Sequence, residues 1–224
     1  MTTYISLGYT ITRPIPRFEW GRSVLPPHIL TLGRWSPSFP NSACLTWTNS
    51  SAEEEARLEI RPETLATLRC LLDDSFGTQW FWPRYLIDEG LAREIFRILL
   101  ADSPGWKLFR LYTPAELRQG IIEELNVFRS PQDPEDTRWL EEMPLVDASQ
   151  IHALGAEIYN PSGEYSWHVN DLAIEIQKRF GFKLGQWGLL EDLEQARLGA
   201  EWITAEGNAE PGLWIPIALC PVDD

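Results

Sequence analysis

The chain has 224 residues, 44% hydrophobic and 23% charged, a balance that excludes wholesale disorder and is enough for one large domain or two small ones. Nineteen Lys and Arg stand against thirty-three Asp and Glu, and the formal charge of −14 works against contact with nucleic-acid phosphates or an anionic membrane surface. No run of about eighteen apolar residues is present, so no membrane-spanning helix is expected; the opening MTTYISLGYTITRP lacks a signal-peptide pattern, and a cytoplasmic location is expected.

In ISLGYTI, residues Ile5, Leu7, Tyr9 and Ile11 alternate with smaller or polar ones, the two-residue period of a half-buried strand. RPIPRFEWGRSVLPPH follows with four prolines and reads as an irregular loop. ACLTWT (43–48) and ARLEIR (56–61) are strand-like runs joined by NSSAEEE, a hairpin with Leu45 and Trp47 facing Leu58 and Ile60. The period then changes. Leu65, Leu68, Leu72 and Phe76 lie on one helical stripe that Gly77 ends. Asp88 caps a second helix whose apolar face is Leu91, Ile95, Ile98 and Leu99. WKLFRLY (106–112) reads as a strand that runs into a capping box of Thr113, Pro114 and Glu116, opening a helix with Leu117, Ile121 and Leu125 on one face.

Further on, LGAEIYN (154–160) reads as a short strand and PSGEY as a turn. A helix follows with Val169, Leu172, Ile176 and Phe180 on one face, ended by Gly181. Another carries Leu189, Leu193, Ala196, Ala200 and Ile203 and ends near Gly207. LWIPIAL (213–219) is strand-like, but Pro216 cannot donate to a ladder, which demotes it to an edge or a bulge. The order of elements is not the strict alternation of a doubly wound sheet. It predicts an α+β protein, with a mixed or mostly antiparallel sheet and about five to six helices. The expected division is a charge-balanced α+β lobe over 1–125, an acidic connector with a short helix over 126–150, and an acidic α+β lobe over 151–224.

Chemistry has few anchors. Cys44, Cys70 and Cys220 form no C-x-x-C pair and read as buried, reduced residues, so neither a metal nor a cofactor is expected. His28, His152 and His168 sit in no zinc-ligand spacing. His168 and Asp171, three apart at a helix start, are the one His/carboxylate pair that could share a proton, although Asp there is also explained by capping. No nucleophile elbow, phosphate loop or dinucleotide fingerprint occurs. The doublets Asp73/Asp74, Glu123/Glu124 and Glu141/Glu142 point about 100° apart on a helix and cannot face one substrate together. No catalytic residue is assigned.

The charge is unevenly placed. Residues 1–112 hold twelve acids and twelve bases, whereas 113–224 hold twenty-one acids and seven bases, so the whole formal charge falls in the second half. Within RSPQDPEDTRWLEEMP (129–144), Asp133 starts a short helix with Trp139, Leu140 and Met143 on one side. Asp133, Glu135, Asp136, Glu141 and Glu142 then surround Trp139 as a partner-binding surface, an aromatic anchor among carboxylates. The function this predicts is that of a non-enzymatic binding protein, a bacterial immunity or inhibitor protein that neutralises a basic toxin or nuclease. The alternatives are a carboxylate-dependent hydrolase acting on a sugar or similar polar substrate, and an adaptor or scaffold subunit without ligand.

Overall fold

Ile5, Leu7, Tyr9 and Ile11 enter a strand as their alternation predicts, β1 (Thr3–Pro14), but it is set deeper than a half-buried strand. Every residue from 5 to 11 is buried, including Ser6 and Thr10 on the other face, so water reaches neither side there. At Gly8 the backbone takes a φ of 106°, where a Cβ would be strained. The computed structural model describes residues 2–14, 19–20, 23–24, 29–31, 60–75, 80–81, 85–86, 88–127, 138–161, 165–167, 172–185, 188–206 and 211–223. The chain forms two compact units that divide beside this glycine: the first comprises Met1–Leu7, Leu111–Gly185 and Leu189–Cys220, the second Gly8–Arg110, Gln186–Gly188 and Pro221–Asp224. These boundaries differ from the expected seam at 126–150.

Inside the stretch read as an irregular loop, β2 (Glu19–Trp20) pairs antiparallel with β3 (Ser23–Val24), and β4 (Ile29–Thr31) returns along β1 with Thr12 opposite Thr31. The predicted hairpin of 43–48 and 56–61 lies outside the described residues except for Ile60, which is buried, and Arg61. Next come α1 (Pro62–Ser75), β5 (Trp80–Phe81), β6 (Tyr85–Leu86), α2 (Glu89–Asp102) and β7 (Lys107–Pro114). In the second unit β5 pairs antiparallel with β6, and β6 with β1.

Of the expected helical stripes of this unit, Leu65 and Leu68 are buried on α1 and Leu91, Ile95 and Leu99 on α2, while Ile98 is half-buried; the side chains of Leu72 and Phe76 and the stop at Gly77 lie outside the described residues. Asp88 Oδ1 accepts from the Leu91 amide at 2.7 Å, and α2 buries Ala92 and Phe96 as well as Leu91, Ile95 and Leu99. Tyr9 donates its hydroxyl to Glu89 at 2.5 Å, and Arg93 donates to the other oxygen of that carboxylate at 2.9 Å. The end of α2 is tied to the start of α1 by Asp102, whose side chain is 1% exposed. It accepts from the Thr64 hydroxyl at 2.6 Å and from Arg61 Nε at 2.7 Å. A carboxylate beside the first turn of α1 also complements that helix's dipole.

The first unit contains α3 (Arg118–Val127), α4 (Arg138–Glu142), β8 (Val146–Asp147), β9 (Gly155–Asn160), β10 (Tyr165–Ser166), α5 (Leu172–Phe180), α6 (Leu193–Glu206) and β11 (Ile215–Pro221). Here the strand order is β10, β9, β11, β7, β1, with β8 also on β1. The class is α+β, and the β9 pairings with β10 and β11 are antiparallel. Helix α6 lies so close to β9 that a Cβ on Gly199 would sit 2.5 Å from Ile158 Cδ1.

Three local expectations are overturned in this unit. Thr113 caps no helix: it is fully buried in β7, and the 3-10 turn Ala115–Leu117 after it has no side-chain cap. Its hydroxyl donates instead to the Pro216 carbonyl at 2.9 Å. Strand β11 is therefore no edge: it lies between β9 and β7, and where proline lacks a donor a threonine side chain satisfies its carbonyl. Helix α6 begins at Leu193 rather than near Leu189, because Leu190 exchanges backbone hydrogen bonds with Ala156 at 2.9 Å in both directions while Asp192 caps the Gln195 amide. Of the cysteines, Cys220 is buried as expected, Cys70 is exposed, and Cys44 lies outside the described residues.

Two outcomes follow. Thr113→Val keeps the shape but orphans a buried carbonyl, and urea unfolding is expected to show a loss of about 1–3 kcal/mol. Burial pushes the Asp102 carboxyl up, but hydrogen bonds from Thr64 and Arg61 and the arginine's charge outweigh it, holding it below the ordinary carboxylate range. A depressed pKa contributes stability that is complete above the unfolded value, about 4, and is lost as pH falls through the folded one. Stability against pH is therefore expected to decline below about pH 4, and Asp102→Asn to flatten part of that decline.

Candidate functional site

Arg118 opens α3 and its guanidinium reaches the end of α4. Nη2 donates to the Met143 carbonyl at 2.6 Å and Nη1 to the Glu141 carbonyl at 3.2 Å. Carbonyls at a helix end have no partner within the helix, and a cation there also meets the negative end of its dipole. Leu140 is fully buried and seats α4 on the unit, while Val146, a few residues on, pairs with Tyr4 of β1. The backbone from Arg138 to Asp147 is thus held by one buried side chain, one arginine and one strand pairing.

What this segment shows to water differs from the expected face of Trp139, Leu140 and Met143. Leu140 alone is sunk; Trp139 and Met143 are half-buried. The ring of Trp139 is therefore neither a pure core residue nor a free-standing anchor. Glu141 and Glu142 are exposed, and neither side chain is in an ion pair among the described residues. Pro144 and Leu145 are exposed as well, Leu145 by 59%. The helix is described from Arg138 onward; Asp133, Glu135 and Asp136 lie outside the described residues, as do His168 and Asp171.

A second acidic focus forms in the same unit around Tyr4. This half-buried tyrosine belongs, like Val146, Ile151 and Leu193, to the partly buried side chains packed against the cluster of Tyr112, Ala218 and Cys220. Burial raises its pKa above the ordinary tyrosine value, and the carboxylates of Glu116 and Glu194 raise it further. Neither acid is near Tyr4 in sequence; the turn after β7 and the first turn of α6 supply one each.

Cations in this unit are largely engaged by its own groups. Arg197 binds Glu194 at 2.6 Å and also pairs with Glu201, and this holds the Glu194 carboxyl below its usual range. Arg179 lies 5.5 Å over the Trp202 ring and bridges Glu206 at 3.7 Å. Arg118 is committed to backbone carbonyls. Among the described residues no ion pair compensates Glu141 or Glu142.

No family model, curated protein or solved structure matches the chain. Among the described residues no group of three or more His, Cys, Asp or Glu is placed to hold a metal ion, and no helix is long and apolar enough to cross a membrane. Of the expected partner-binding residues the structure brings together Trp139, Glu141 and Glu142. Sequence reasoning passed over Arg118, Tyr4, Glu116, Glu194 and Leu145. A leucine after a proline in MPLVD carries no periodic signal, and an arginine that binds carbonyls more than twenty residues away leaves no local trace.

Replacing Arg118 by Met removes both carbonyl partners while keeping the aliphatic stem. Amide exchange across 139–147 is expected to accelerate, with a local cost of about 1–3 kcal/mol. Exchange in α1 and α2 should stay unchanged.

Proposed function

We propose that the protein is a non-enzymatic binding protein of the immunity or inhibitor type, which neutralises a basic protein partner, a toxin or nuclease, through an acidic surface. The observation that carries this reading is the partition of charge between the compact units. The first unit holds nineteen acids and seven bases, a formal charge of −12, and the second fourteen acids and twelve bases, a formal charge of −2. A strong excess of one sign on one unit raises the encounter rate with a cationic protein and disfavours anionic competitors.

The α4 segment supports the same reading. Glu141 and Glu142, in no ion pair among the described residues, stand on a backbone that Arg118 holds, so the backbone beneath them loses little conformational freedom on meeting a partner. Their cost of desolvation is met only by an opposing cation, which is what selects a basic surface over a neutral one.

Capture from the native host at low salt, followed by titration of the captured protein across ionic strength, tests the proposal. The expected partner is cationic, and its affinity should fall by at least about tenfold between low and high salt. Glu141→Gln with Glu142→Gln should make that salt dependence shallower. A neutral or acidic partner, or an affinity indifferent to salt, would contradict it.

A further inference from the structure

Leu145 stands out on the acidic unit. Among the described residues three large hydrophobics are exposed, Leu100 by 42%, Leu154 by 44% and Leu145 by 59%. Leu145 is the most open of them, and it lies two residues beyond the half-buried Met143 and three beyond the exposed Glu142 of α4. Its exposure does not come from a loose backbone. Arg118 pins the carbonyls of Glu141 and Met143 on one side, and Val146 pairs with Tyr4 on the other, leaving only Pro144 and Leu145 between the fixed points. Proline, with its φ locked, removes one more freedom from that short span.

We infer that Leu145 is the apolar anchor of the acidic surface, seated in an apolar recess of a cationic partner whose Lys or Arg side chains flank that recess and meet Glu141 and Glu142. This rests on the reading of a basic protein partner and adds to it that the partner's surface is amphipathic rather than merely cationic. Two features support the choice of occupant. The flanking carboxylates and the −12 of the unit favour a cationic surface over a neutral one. A side chain on a backbone already fixed by Arg118 and β8 pays little ordering entropy on docking, which is the property of residues that carry a disproportionate share of binding energy.

The test uses the full chain and two synthetic helical peptides of equal positive charge, one with a leucine face and one with serine at the same positions, titrated at low and high salt. The leucine peptide is expected to bind roughly tenfold more tightly, and both should weaken as salt rises. Leu145→Ser should abolish the difference between the peptides while leaving the serine peptide's affinity unchanged; the position is exposed, so unfolding by the substitution is not expected, and an unchanged melting temperature checks it. Equal binding of the two peptides, or a preference that survives Leu145→Ser, overturns the anchor while leaving the cationic reading intact. If neither peptide binds at low salt, or binding ignores salt, the cationic reading falls and the anchor with it.

Discussion

Burial on both faces is the constraint from which most of the fold follows. In β7 the residues from Leu111 to Pro114 are all buried, and in β11 all from Ile215 to Cys220. A strand with no wet side has no solvent to take up a stray carbonyl, so each interruption of the ladder needs a partner from within. Pro216 offers no N–H to the ladder, and its buried carbonyl takes the Thr113 hydroxyl as a donor. The same crowding removes side-chain volume elsewhere. Gly155 has the Leu190 carbonyl oxygen only 2.8 Å from where a Cβ would be, and Gly199 lets α6 press onto Ile158.

A closely filled interior leaves the surface as the place where charge accumulates, and the two units handle it differently. The second unit pairs its acids: Asp102 with Arg61 and Thr64, Glu89 with Arg93 and Tyr9. In the first unit Arg118, Arg179 and Arg197 are engaged by its own carbonyls and carboxylates, and by sequence the unit carries a surplus of acids. Those on α6 are partly neutralised by Arg197, whereas Glu141 and Glu142 are not. Exposed carboxylates, a held backbone and an exposed leucine therefore coincide on α4 and the short stretch after it.

Much of the helical architecture was readable before any tertiary contact was considered. Leu65 and Leu68 in α1, Leu91, Ile95 and Leu99 in α2, and Leu172 and Ile176 in α5 are all buried at the spacing their sequence shows. The Asp88 cap is readable for the same reason: the bond it makes spans three residues. Where a local pattern was ambiguous it misled. Thr113, Pro114 and Glu116 match a capping box, yet the hydroxyl is taken by a carbonyl 103 residues away. Leu189 continues the apolar stripe of α6, yet a backbone exchange with Ala156 holds Leu190 in an extended bridge, and the helix waits for Asp192.

The sequence by itself determined the helical faces, the first strand and the concentration of acid beyond residue 112, because periodicity, capping and charge are carried by neighbouring residues. Tertiary structure decided the rest: that β1 has no wet face from Ile5 to Ile11, that a proline strand sits between two others, that Glu116 and Glu194 both raise the pKa of Tyr4, and that Leu145 is exposed where Trp139 is half-buried. Each of these depends on which distant backbone or side chain arrives to satisfy a hydrogen bond or cover an apolar group. That arrival is fixed by packing of the whole unit and has no signature at the residue itself.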